Sequence, residues 1–275
     1  MRENGKAPGS CDVQGAALRA AILSYHQVGT PHGDDPRNTL LLSPVKFNLQ
    51  LSILHALGWK GLSLRDLEPY LAGTKRGRVF GITLDDGYRN NFTHALPVLR
   101  RLGFSATVFM VSGQIGGSNV WDTGHVAPAA LMDVRELTAW MEAGMEVGAH
   151  TRSHPRLPSC DSDIALEEIA GCKADLEQAL GVPVERFSYP HGLFAAAHVE
   201  MVRESGYLAA VTTRAARASR HDHPLRLPRI SVHSDTSTTR LVLQVTTAFE
   251  EWRAEQRRKR GGLLDPGETP SDLAI

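Results

Sequence analysis

The sequence predicts an α/β fold whose parallel strands close into a single barrel, and three observations carry that expectation. Strand-like and helix-like apolar patterns alternate along the chain. No Pro/Gly/Ser-rich linker divides the 275 residues, and no repeat of fixed period is present. This length suits one barrel of about six to eight strand–helix units better than two domains. The polar residues with chemistry to offer fall at the C-terminal ends of predicted strands, the rim where barrel enzymes hold their active sites.

Ala21–Tyr25 is a short apolar run and reads as the first strand. Phe47, Leu51 and Leu54 have helical spacing and stop at Gly58. Arg78–Leu84 (RVFGITL) reads as a buried strand. Phe92, Leu96 and Leu99 predict a helix that Pro97 shortens or kinks and Gly103 ends. Ser105–Val111, rich in β-branched and aromatic residues, is a strand. Asp133 and Glu136 form a capping box for a helix reaching Ala143, and Met145–His150 is the strand after it. Ala165, Ile169, Cys172, Leu176 and Leu180 mark one helix face stopped by Gly181. Arg186–Tyr189, Leu208–Thr213 and Arg226–Val232 complete the strands, and one amphipathic helix covers Thr238–Lys259. Residues 1–18 are expected to form a flexible N-terminal arm, 19–260 the barrel domain and 261–275 a flexible C-terminal tail.

Composition narrows the function. Thirty basic and thirty acidic side chains cancel, so no global field favours nucleic acid or anionic lipid. Apolar residues make up 42% and charged residues 22%, ordinary for a globular protein, and no apolar run of about 18 residues suggests a membrane span. The N-terminus lacks a basic segment leading into an apolar one, so a cytoplasmic address is expected, although a chain trimmed of its leader would look the same. Cys11, Cys160 and Cys172 are odd in number and lack ligand spacing, and are read as reduced thiols.

Four segments carry chemistry. Asp85 and Asp86 follow a strand, where one carboxylate can bind a cation and the other face a reacting water; an Asp-Gly pair is equally a turn former. His150 and His154 stand four apart after a strand, close enough to share a metal, with two exposed loop histidines as the alternative. Thr151 occupies the place where a zinc protease carries glutamate, so that class is excluded. Two His and one carboxylate make an open three-ligand site with room for water and substrate. In Tyr189-Pro190-His191-Gly192 a backbone N–H can point into a cleft and meet an oxyanion, or the loop is a plain turn with Tyr189 in the core. His233, at a late strand end, is a candidate general acid or a solvent-exposed side chain. His26 ends the first strand and either reaches the rim or packs there; Trp121, in a Gly-rich loop (113–124), either stacks on a sugar or packs. The basic 253–260 segment is a solvated helix end.

Taken together these residues resemble the polysaccharide deacetylases, carbohydrate esterase family four. The resemblance spans roughly residues 20–235 and rests on ITLDDGY (82–88), HTRSH (150–154), FSYPHG (187–192) and LPRI (227–230). ILSYH (22–26), ALPVLRRLGFSATVFMV (95–111) and LEQALGVPVERF (176–187) are similar as well. It implies a distorted TIM-like (β/α)7 barrel in one domain, and a divalent metal, usually Zn2+, held by Asp86, His150 and His154. It also implies Asp85 as general base and the His191 N–H as oxyanion donor. The reaction implied is hydrolysis of an N-acetyl group on an amino sugar. The chain departs from the family pattern at Ser188, where many members carry an Arg that orients the base, at His191 in place of Tyr, and at His233, which matches the acid motif only loosely. Arg229 is expected to fill part of the charge and space that Ser188 leaves. Competing expectations are an amidase or deformylase on another small amide and a catalytically weak sugar-binding member of the fold. A nucleic-acid binder using the 253–260 segment is the remaining one.

Overall fold

The computed structural model describes residues 19–30, 39–122 and 128–259. The expected arm, the expected tail and Cys11 lie outside the described residues. Eight parallel strands form the main sheet: β1 (Ile22–Tyr25), β2 (Lys60–Leu62), β3 (Val79–Leu84), β4 (Thr107–Met110), β5 (Glu146–Ala149), β6 (Arg186–Ser188), β7 (Ala209–Val211) and β8 (Ile230–Ser231). Their order is β7-β6-β5-β4-β3-β1-β8, with β2 paired to the first half of β3 (Lys60 opposite Val79) and β4 to its second half (Thr83 opposite Thr107). The two edges approach each other: Leu227 bridges Val211 in parallel, and Ile230, three residues on, pairs with Leu23. The result is a distorted (β/α)7 barrel, curled and incompletely closed, with the short β2 added off the main path.

All six residues of β3 are buried, as are all four of β1, β4 and β5. Strands covered on both faces need continuous apolar runs, which the sequence supplies. The helices wrap outside: α1 (Pro44–Ala56), α2 (Leu64–Leu71), α3 (Leu96–Leu102), α4 (Val134–Glu142), α5 (Ser162–Leu166), α6 (Cys172–Leu180), α7 (Ala196–Glu204), α8 (Thr238–Thr246) and α9 (Phe249–Lys259). Local chemistry sets their ends. Ser43 accepts from Lys46 N with Pro44 in the first turn of α1. The capping box at α4 is formed, with Glu136 N bonding Asp133 Oδ1 at 2.8 Å and Asp133 N bonding Glu136 Oε2 at 3.0 Å. Gly103 (φ 64°) and Gly181 (φ 68°) end α3 and α6 in the left-handed conformation.

Three differences from expectation have physical causes. A π-helical turn, Asn91–Ala95, precedes α3, so Pro97 sits in the first turn of the α-helix, where its missing N–H costs nothing. A second π turn, Glu167–Gly171, joins α5 to α6 within the helix expected over 165–180. The last helix is two helices. Thr246 and Thr247 turn their hydroxyls onto the carbonyls of Val242 and Leu243 (2.7 and 2.6 Å), and Thr247 is extended (φ −134°, ψ 177°), which ends α8. β2, α2 and α7 are additions that periodicity did not reveal. No helix among the described residues is long and apolar enough to cross a membrane.

Candidate active site

The parallel register delivers the site residues to one rim. Asp85 N still bonds Tyr25 O at 2.9 Å, so the ladder with β1 carries on one residue past the end of β3. The chain then turns through Asp86 (φ 71°) and Gly87 (φ 76°). Only glycine fits at 87, because a Cβ there would lie 2.1 Å from Met110 Sδ. His150 follows β5, with its N–H bonded to Met110 O at 2.9 Å. Tyr189 follows β6, with its N–H on Val211 O.

Asp86, His150 and His154 meet there, their potential ligand atoms within 4.8 Å of one another and all three residues buried. Asp86 Oδ1 lies 3.4 Å from His150 Nε2 and 3.3 Å from His154 Nε2. Burial opposes charge on Asp86, but the two imidazoles beside it outweigh that and hold its carboxyl well below the usual range. His150 Nδ1 lies 2.7 Å from Ser188 O, which takes its N–H and leaves Nε2 free as an electron-pair donor. Asp86 Oδ1 is buried without a hydrogen-bond partner. A buried orphan carboxylate oxygen facing two imidazole nitrogens fits a divalent cation in chemistry and in ligand number.

Asp85 occupies a different environment. Arg229, 1% exposed, grips it in a fork, with Nη1 to Oδ1 at 2.7 Å and Nη2 to Oδ2 at 2.8 Å. The same guanidinium bonds Thr212 O (2.9 Å), Thr83 Oγ1 (3.0 Å) and Ser188 Oγ (3.1 Å). Arg229 therefore supplies the buried cation beside Asp85 that position 188 does not. Burial raises the pKa of Asp85, and the charges of Arg229 and His150 overcome this and lower it. The two adjacent aspartates thus face different partners and need not repel.

These residues share a cavity of about 130 Å³ with His26, Tyr88, Trp121, His191 and Thr213. Trp121 stacks on the His154 ring (4.7 Å between centroids) and His191 meets the same ring edge-on (4.6 Å). His191 has φ 59°, and the turn's hydrogen bonds, Gly192 N to Tyr189 O and Leu193 N to Pro190 O, leave its own N–H unused. Tyr189 lines the cavity floor, but its hydroxyl is committed to Leu225 O at 3.1 Å and its ring stacks on Phe194. Among the described residues, the non-glycine positions with positive φ are Asp86, Thr151, His154 and His191, and all belong to this site. Such strain costs of order 1–3 kcal/mol per residue and gathers where function demands a geometry.

His233 is not brought to this cavity. It lies past β8 with its N–H on Thr236 Oγ1 at 3.0 Å, whereas His26 is among the lining residues. Burial lowers the His26 pKa, against the pull of Asp86 and Asp85.

The polysaccharide deacetylase family model matches residues 72–210, half of the chain. The chain belongs to the polysaccharide deacetylase family. YxkH of Bacillus subtilis (strain 168), provisionally named a polysaccharide deacetylase, is 26% identical over 213 residues, 77% of this chain and 70% of that protein. A poly-β-1,6-N-acetyl-D-glucosamine N-deacetylase of Staphylococcus epidermidis is 23% identical over 242 residues, covering 80% of this chain and 81% of the relative. The Streptococcus pyogenes deacetylase PplD, solved with acetate, has the same fold at TM-score 0.74 and 23% identity, over 84% of this chain and 99% of that one. The matched segment begins just past α2 and ends within β7, and it contains both aspartates, both candidate ligand histidines and the 189–192 turn.

Proposed function

We propose that this chain is a metal-dependent N-deacetylase, removing acetyl groups from N-acetylglucosamine units of a poly- or oligosaccharide. One observation carries the reading: a buried Asp86–His150–His154 donor set adjoins a second aspartate held ionised by Arg229, in one cavity. The named activity of the Staphylococcus relative supports the substrate class. A divalent cation on those three residues, zinc being the usual choice for two His and a carboxylate, would polarise an amide carbonyl and acidify a water molecule.

The chain's own groups account for the rest. Asp85, kept ionised and fixed in orientation by Arg229, takes the proton from the attacking water. The unused His191 N–H donates to the oxyanion of the tetrahedral intermediate; losing such a donor costs about 3–4 kcal/mol of transition-state stabilisation. Trp121 and the His191 ring wall the space over His154 and exclude water. The departing amine takes a proton from His26, which lines the same cavity and faces both carboxylates. The released products are acetate and a free amino sugar.

Acetate release from a β-1,6-linked N-acetylglucosamine oligomer tests the proposal. His26→Ala is expected to lower kcat by about 10²-fold or more, while His233→Ala stays near wild type. The reverse order would move the acid to His233, and formate release from an N-formyl substrate without acetate release would favour the deformylase alternative.

A further inference from the structure

The two ligand histidines differ in how they are held. His150 is oriented by its bond to Ser188 O, but His154 Nδ1 is buried with no hydrogen-bond partner among the described residues. Its aim depends on ring packing against Trp121 and His191 and on the backbone of the 150–154 loop, and that backbone is strained. Thr151 (φ 66°) is β-branched and His154 has φ 63°. Within the loop, His154 N–H bonds Thr151 Oγ1 (3.1 Å) and Thr151 Oγ1 donates to His150 O (2.5 Å). The remaining restraint comes from outside.

Arg152 bonds both oxygens of Asp175 on α6, through Nε and Nη2 at 2.7 Å each, and also pairs with Glu167. Ser153 bonds Glu168 twice, N–H to Oε2 at 2.8 Å and Oγ to Oε1 at 2.5 Å. Asp175 Oδ2 additionally accepts from Ser112 Oγ (2.8 Å), whose N–H bonds Thr151 O (3.2 Å), while Gly113 N–H bonds Arg152 O (2.9 Å). The π turn Glu167–Gly171 supplies this contact surface. It carries both glutamates, and its Gly171 lets the guanidinium lie against the backbone, since a Cβ there would sit 2.5 Å from Arg152 Cζ.

We infer that Asp175 and Glu168 are positioning residues for the metal: they clamp Arg152 and Ser153 so that the strained loop presents His154 Nε2 to Asp86. The α5–α6 stretch thus acts as an external splint, replacing the outer hydrogen bond that His154 lacks. The inference rests on the metal reading above.

Zinc affinity of the full chain, stripped with chelator, is measured by titration calorimetry, with thermal melting of the metal-free form in parallel. Asp175→Asn is expected to weaken zinc binding by about 10–100-fold while still melting cooperatively. Asp175→Glu, which keeps the carboxylate, recovers part of the loss, and kcat of Asp175→Asn rises toward wild type as zinc is raised. Glu168→Gln, which loosens only Ser153, gives a smaller loss and decides the matter if Asp175→Asn does not fold. Wild-type zinc affinity in the folded variant overturns the inference. A wild-type chain that binds no zinc overturns the metal reading instead, so the two failures are distinct.

Discussion

Replacing Arg229 by Met is the most informative single perturbation of the site. Met keeps an unbranched apolar stem in place of the arginine stem and removes the guanidinium with its charge. What remains is Asp85, its side chain 5% exposed, with two hydrogen bonds of 2.7 and 2.8 Å removed and, among the described residues, two 3.5 Å side-chain contacts from the Ser24 and Ser188 hydroxyls left in place. Removing one partner of a buried ion pair strands the other, at about 3–5 kcal/mol. That is a large part of the total stability of an ordinary domain, about 5–15 kcal/mol. Urea unfolding of wild type, Arg229→Met, Asp85→Asn and the double variant completes a cycle. The double variant no longer buries an unpaired charge, so it should be at least as stable as Arg229→Met alone. Additivity of the two single changes within about 0.5 kcal/mol would refute the reasoning, because it would mean that the pair is not coupled.

Other outcomes follow from the same geometry. Asp85→Asn should keep zinc affinity near wild type and lose about 10²–10⁴ in kcat, measured by calorimetry and acetate release, since Asp85 is not among the three ligand residues. Gly192→Ala should destabilise by about 1–3 kcal/mol in urea unfolding, because φ is 68° and the new Cβ would lie 1.9 Å from Thr213 Oγ1. Glu146, buried beside Arg186 near the opposite end of the barrel, has its pKa raised by desolvation. Its folded pKa exceeds the unfolded value, so its contribution is most favourable at low pH and is lost as pH rises through the folded pKa. Melting of Glu146→Gln relative to wild type should therefore shift in the variant's favour as pH is raised from about 4 toward 7, and a flat difference would show that Glu146 does not titrate abnormally.

How much of this was readable in the sequence depended on the range of the interaction. Local signals were legible: the Asp133/Glu136 cap, the Gly103 and Gly181 stops, and the continuous apolar run of β3 all formed as their residue types dictate. Asp85, Asp86, His150 and His154 were legible because each follows a strand, and parallel strands bring their ends together. Arg229 was expected near the base only as compensation for Ser188; a fork across 144 positions leaves no periodic trace. That His26 lines the cavity and His233 does not was not legible either. Both follow strands, and what separates them is the path after β8, where Thr236 holds the His233 backbone. β2 and α2 leave no apolar period to read: β2 is three residues with Gly61 at its centre, and α2 contains Pro69. Gly61 is in fact required by packing, since a Cβ there would meet Ile82 Cδ1 at 2.4 Å. The two π turns add one residue to a helical turn, too small a phase change for apolar spacing to report.

The central claim is that the Asp86–His150–His154 cluster holds the metal on which acetyl removal depends. Acetate release from an N-acetylglucosamine oligomer, followed before and after chelator treatment and zinc re-addition, tests it most directly. The account predicts that stripping abolishes turnover, that zinc restores it in the wild-type chain, and that no zinc concentration restores it in Asp86→Ala. Undiminished acetate release from stripped protein, or from Asp86→Ala, would contradict it.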